Sequence, residues 1–213
     1  MKKIVPHVVA ASVLAASSSV AAIELGADTE LSFNATLASN YLFRGVSLSD
    51  DDFAVQGGAD LAHGSGLYAG IWASTYDNGG DTETEVDWWA GYGFDLSDSL
   101  SLDVGVTRYY YPSVGGHTTE WYAGAAIADA TVTLFYDQHI EQWYFQGGYD
   151  FTLPADVVLS AHVGYTEPDE ASGFYDLGLT ASYAINDHIE VFGGAVYHEE
   201  EKDNYVAGVN FYF

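Results

Sequence analysis

Carboxylates dominate the chemistry available to this sequence, with 31 Asp and Glu against five Lys and Arg and a formal charge of −26. Asp60, Glu85, Asp87, Asp103, Glu120, Asp137, Asp150, Asp176 and Glu190 each fall on the polar side of a segment that alternates polar with apolar residues. In an extended chain that parity puts each of them on one face. Arg44 is the one clear basic residue that the parity sets among them. Acidic side chains around a confined aqueous space attract cations and repel anions. Catalysis has little support: the seven histidines are scattered, and no H-E-x-x-H or G-x-S-x-G motif occurs. His162 with Ser160, and His139 with Asp137 and Glu141, are the only enzyme candidates, each more simply a polar interior or loop residue. With no cysteine, neither a disulfide nor a thiolate metal site is available.

These residues need elements to position them. The first stretch, "MKKIVPHVVAASVLAASSSVAA", has a basic start, a short apolar run and small residues before Ala22, which reads as a secretory signal over 1–22 cleaved after Ala22. The remainder, 23–213, reads as one domain. It keeps Arg44, Arg108 and Lys202 as its basic residues, a balance that excludes nucleic acid as a partner. Beyond the signal, no apolar run approaches the roughly 20 residues of a membrane helix. The composition, 15% aromatic with 23 Gly and 4 Pro, is that of strands rather than of an acidic disordered chain.

Period-two alternation resolves 23–213 into segments of about ten residues, the length a tilted membrane strand requires. Examples are Val86, Trp88, Ala90, Tyr92 and Phe94 against Glu85, Asp87, Trp89, Gly91 and Gly93, and Tyr175, Leu177, Leu179 and Ala181 against Asp176, Gly178 and Thr180. Twelve such segments are expected. Ten result if "LYAGIWASTY", apolar or aromatic on both faces, and one neighbour are misread; the preferred reading sets Leu67, Ala69, Ile71 and Ala73 outward. Alternate connections differ in character. "GVSLSDDD", "DNGGDTE", "PSVGGHT", "QHIE", "EPDEASG" and "EEEKD" are on average longer and more acidic than "AHGSG", "DLSDS", "AIADA", "LPAD" and "AINDH". That asymmetry matches extracellular loops and periplasmic turns.

Alternation alone does not separate a soluble sandwich from a membrane barrel. Aromatics near the ends of the apolar faces (Tyr41, Phe43, Tyr92, Phe94, Tyr149, Phe151, Tyr165, Tyr183, Tyr197, Phe213) suit two interfacial girdles. The apolar faces are also nearly free of charge. The last segment, "NYVAGVNFYF", alternates to its final Phe213, as expected of a strand that closes a barrel onto its first strand. A terminal Phe of this kind also resembles the signal read by Gram-negative outer-membrane assembly machinery. The expected fold is therefore all-β: a transmembrane, antiparallel up-and-down β-barrel of the outer membrane.

"LSFNATLASNYLFRGVSLSDDDFAVQGGADLAHGSGLYAGIWAS", with "SNYLFRGVSLSDD" its most specific part, resembles the start of the TorF-type porins, also grouped as the conserved Gcw_chp family. "EVDWWAGYGF", "LDVGVTRYYYP" and the closing aromatic strand extend the likeness over essentially all of 23–213. The resemblance implies an outer-membrane barrel and a porin, with no established functional residues to transfer. The residues add a narrow, acidic-lined channel for passive diffusion of small solutes, preferring cations and needing no cofactor or metal. Trp89, Tyr109, Tyr111, Tyr122, Phe135, Tyr144, Phe192 and Tyr212 narrow the interior further, and no loop is long enough to plug it.

The alternative is a non-conducting structural or adhesion barrel. Its acidic loops "SDDD", "DNGGDTE", "EPDE" and "EEEKD" would bind Ca²⁺ or Mg²⁺ and bridge to lipopolysaccharide phosphates, although "DNGGDTE" lacks EF-hand spacing. Arg108 breaks the pattern. Its parity is outward, so it either snorkels to the headgroups or is turned inward by a bulge at "RYYYP" to join Arg44; the bulge is the preferred expectation.

Overall fold

The computed structural model describes residues 22–213, so the signal segment lies outside the described residues except for Ala22. The chain forms β1 (Ile23–Gly26), β2 (Thr29–Ala38), β3 (Leu42–Phe43), β4 (Val46–Ser47), β5 (Ala54–His63), β6 (Leu67–Asp77), β7 (Thr82–Ser97) and β8 (Leu100–Tyr111). It continues through β9 (Gly116–Ile127), β10 (Ala130–Asp137), β11 (Gln142–Thr152), β12 (Val158–Glu167), β13 (Phe174–Asn186), β14 (Ile189–His198) and β15 (Asn204–Tyr212). Each strand from β5 to β15 pairs antiparallel with its sequence neighbour, β15 pairs with β2, and β2 pairs with β5, closing a twelve-stranded barrel. Among the described residues no helix is long and apolar enough to cross a membrane; the strands do so.

"LYAGIWASTY" lies in β6 with Leu67 and Ile71 outward and Tyr68, Ser74 and Tyr76 buried inward, which decides for twelve strands. Closure is shorter than the closing strand's length suggests. β15 meets β2 only from Asn34 to Ala38, with Phe213 exchanging backbone hydrogen bonds with Phe33. β1 folds back on Thr29–Leu31 and covers the rest of that edge, so β2 offers no unpaired backbone there.

The outer face carries two aromatic girdles. Tyr92, Phe94, Tyr149, Phe151, Tyr183, Phe211 and Phe213 ring the end that holds the chain termini; Trp88, Trp121, Trp143, Tyr165, Tyr175, Tyr197 and Tyr205 ring the far end. Exposed Ile71, Val104, Val132, Val163, Leu177 and Leu179 fill the band between them. A closed barrel with an apolar, aromatic-bordered outside and a polar inside is an outer-membrane architecture, and the protein is located there. β8 runs past Arg108 without a bulge, pairing it with Trp88 and Thr119. The expected inward turn is therefore not made. Arg108 stays on the outer face in the far-end girdle and donates to Thr119 Oγ1 at 3.0 Å, where its long stem lets the charge reach the interface.

Candidate functional site

The interior is built from the polar face of every strand, and two features of its packing were not foreseen. Inward-facing glycines accept aromatic rings from the adjacent strand. A Cβ on Gly70 would lie 2.2 Å from the Trp89 ring, and one on Gly105 would lie 2.3 Å from the Tyr122 hydroxyl. These rings therefore lie along the wall, and the lumen loses less width to them than their size suggests.

The second feature is the connection from β2 to β5, residues 39–53, which folds into the lumen as a plug-like hairpin and corrects the expectation that no loop does so. Ser47 Oγ donates to Asn40 Oδ1 at 2.7 Å, Ser49 Oγ accepts from the Tyr41 amide at 2.9 Å, and Asn40 Nδ2 donates to Asp51 Oδ1 at 2.9 Å. The polar letters of "SNYLFRGVSLSDD" thus satisfy one another inside the loop. At its tip Phe43 pairs with Val46, and Arg44 and Gly45 both have positive φ, 50° and 86°, as a two-residue type I′ turn requires. Gly45 is packed against His198, Val196 and Asp176, and Asn204 Nδ2 donates to its carbonyl at 2.7 Å. On the rim, Lys202 binds Asp51, a hydrogen bond that raises the pKa of the lysine amine.

Tyr41 and Phe43 are consequently not girdle residues. Tyr41 is buried edge-on against Trp72, and Phe43 lies edge-on against Tyr109. Their alternation continued that of β2, but β2 stops at Ala38 and the chain turns inward. The Gly after Arg44, set between apolar Phe43 and Val46, was the available turn signal.

The sequence-selected residues fall into distinct settings. Arg44 donates to Glu120 Oε2 at 2.6 Å, and its guanidinium lies 4.0 Å from the Tyr144 ring centroid, 4.7 Å from Phe43 and 5.1 Å from Phe135. Glu120 also accepts from Tyr109 Oη at 3.1 Å. Asp176 accepts from Tyr144 Oη at 3.1 Å and lies 2.6 Å from His162 Nε2. Ser160 makes no hydrogen bond to that imidazole, so a nucleophile is not assembled there. Asp137 caps its turn, accepting from Thr118 and from the His139 amide at 2.8 Å, which ties His139 to the loop.

Towards the termini end, Glu190 accepts from Asn210 Nδ2 at 2.9 Å and Tyr212 Oη at 3.2 Å, and Asp103 accepts from Tyr68 Oη at 2.6 Å. Asp60 faces Asn34 Nδ2 at 3.4 Å, and Asp150 is exposed at the rim. Glu85 accepts from Tyr111 Oη at 3.0 Å, while Glu85 Oε2 and Asp87 Oδ1 are buried without a hydrogen-bond partner. Arg44 and Arg108 do not form a pair, since one lies in the lumen and the other on the outside.

A closed twelve-stranded barrel with a charged interior and an infolded loop is a small outer-membrane β-barrel. The chain belongs to the bacterial family of unknown function described as Gcw_chp, whose model matches residues 24–211. No curated protein matches it by sequence. Among solved structures it is similar to the KdgM porin, with a TM-score of 0.65 at 14% identity over 85% of this chain and 99% of that one. The KdgM porin in complex with disordered oligogalacturonate gives 0.63 at 11% identity over 87% and 99%. The NanC porin gives 0.59 at 12% identity over 85% and 98%. At these identities the likeness is one of fold.

Proposed function

We propose that this chain is a narrow outer-membrane porin for passive diffusion of small solutes, that it prefers cations, and that its infolded first loop forms the constriction. The observation that carries the reading is the inner face. Asp60, Glu85, Asp87, Asp103, Glu120, Asp137, Asp150, Asp176 and Glu190 line the barrel or its rims, and Arg44, the basic residue among them, is neutralised by Glu120. Uncompensated carboxylates on a low-dielectric wall concentrate cations and exclude anions. The likeness to TorF-type porins points to the same class of activity. Oligogalacturonate, with which the KdgM porin forms a complex, is a polyanion, and an acidic lumen disfavours a passenger of that charge. In this reading the termini end faces the periplasm, and Phe213 presents the strand recognised by the assembly machinery. The acidic loops face outward, towards lipopolysaccharide and its bridging cations.

The infolded loop also favours a second reading, a barrel closed by its own loop that serves adhesion or envelope integrity. Planar-bilayer recording of the refolded chain under a KCl gradient separates the two. Defined conductance steps with a cation-selective reversal potential are expected. A folded, heat-modifiable barrel that never conducts, even after residues 41–48 are replaced by a short Gly-Ser turn, would sink the channel reading.

A further inference from the structure

Glu85 and Asp87 stand two residues apart on β7 and face the interior side by side, each 1% exposed. Among the described residues, neither is hydrogen-bonded to an Arg, Lys or His. Glu85 Oε1 is occupied by Tyr111 Oη, whereas Glu85 Oε2 and Asp87 Oδ1 have no hydrogen-bond partner. A third group is directed at the same place from a different part of the chain. The Tyr41 hydroxyl, carried in by the infolded loop and 2% exposed, lies within the electrostatic reach of both carboxylates and completes no well-formed hydrogen bond. Trp72, the residue opposite Asp87 on the neighbouring strand β6, packs edge-on against Tyr41 at 5.5 Å between ring centroids.

Removing two ionised carboxylates from water costs several kcal/mol per ion unless their charge is compensated. A single proton would compensate one of them and leave the other charged. One divalent cation compensates both, and oxygen-seeking cations accept carboxylate and neutral oxygen donors together, Ca²⁺ tolerating irregular geometry and retained water better than Mg²⁺. Among the described residues no three Asp, Glu or His side chains converge as a ready-made metal cluster, so the phenol oxygen and water complete the coordination here.

We propose that Glu85, Asp87 and Tyr41 form an internal site for one divalent, oxygen-liganded cation, with Ca²⁺ the best match. The site deepens the channel reading and rests on it only in so far as it is a resting point for a permeating ion. Because Tyr41 belongs to the infolded loop and the carboxylates to the wall, an ion held there also ties the loop to β7.

The test is Tb³⁺ luminescence, excited through tryptophan, on the refolded full chain in micelles, with Ca²⁺ as competitor. Trp72 supplies the nearby donor. Sensitised emission that Ca²⁺ displaces is expected. Glu85→Gln and Asp87→Asn should each weaken Tb³⁺ binding at least tenfold. Tyr41→Phe, which removes only the hydroxyl, should weaken it several-fold, and the loop variant Asp50→Asn/Asp52→Asn should leave this component unchanged. Heat-modifiable gel mobility reports folding. If a β7 variant does not fold, Tyr41→Phe together with the Ca²⁺-dependence of wild-type heat unfolding decides the matter.

Tb³⁺ emission that is absent, or that survives the β7 substitutions and Tyr41→Phe while vanishing in the loop variant, overturns the site and leaves a shared proton as the neutralising agent. Binding by the full chain with no bilayer conductance, even after residues 41–48 are replaced, would retain the site and discard the channel. Conductance without binding would do the reverse.

Discussion

Two walls of the same lumen treat buried carboxylates in opposite ways. On the β9–β11 side, Glu120 is paired with Arg44, hydrogen-bonded by Tyr109 and bordered by three rings that face the guanidinium. On the β7 side, Glu85 and Asp87 are buried to the same degree, with Tyr111 Oη donating to Glu85 and, among the described residues, no basic side chain bonded to either. Tyr109 stands between the two walls, bonded to Glu120 and close enough to Asp87 to feel its charge. The infolded loop serves both, delivering Arg44 to one wall and the Tyr41 hydroxyl to the other. The difference teaches that the β9 wall is completed by the chain's own charge, whereas the β7 wall is left for something else to neutralise.

The largest effect that would sharpen this comparison comes from removing one partner of the completed pair. Arg44→Ala leaves Glu120 buried and unpaired and should cost about 3–5 kcal/mol, read as a lower urea midpoint for the refolded barrel. Arg44→Met/Glu120→Gln should recover most of that loss. Asp87→Asn should behave in the opposite sense, with stability unchanged or higher in EDTA, because it removes a charge with no partner. A loss as large as that of Arg44→Ala would break the comparison.

A smaller effect is expected from the glycine seats of the aromatic wall. A Cβ on Gly164 would lie 2.1 Å from Tyr144 Oη and 2.2 Å from Asp176 Oδ2, so Gly164→Ala should destabilise by about 1–3 kcal/mol through overpacking beside the Arg44 rings. Gly193→Ala, whose Cβ would find nothing nearer than 3.7 Å, is the control and should leave the urea midpoint in place. Asp87→Asn should also shift the zero-current potential in a KCl gradient towards lower cation selectivity, and Asp150→Asn at the exposed rim should do so less. The smallest effect belongs to the tether on the rim. Lys202→Ala should leave the unfolding midpoint within error, because an exposed ion pair contributes little.

The sequence by itself determined the barrel and the parity of its faces, and it favoured twelve strands over ten, a count that the inward Tyr68, Ser74 and Tyr76 of β6 decided. Alternation in segments such as Val86–Phe94 is a local property, and a one-residue slip would put Glu85 and Asp87 into lipid. The girdles followed for the same reason, except where Tyr41 and Phe43 continued the alternation of β2 beyond its last residue, Ala38. Period two cannot say where a strand stops pairing. Tertiary structure alone decided that "SNYLFRGVSLSDD" turns inward, because its partners Glu120, Tyr144, Asp176 and Asn204 lie more than seventy residues away in sequence. It likewise decided that Arg108 stays outside, since the pairing of β8 with β7 and β9 leaves no extra residue there to form a bulge. The chemical character of each carboxylate was settled last. Parity can place an acid inside the barrel, but only the fold brings a basic side chain to Glu120 and, among the described residues, none to Asp87.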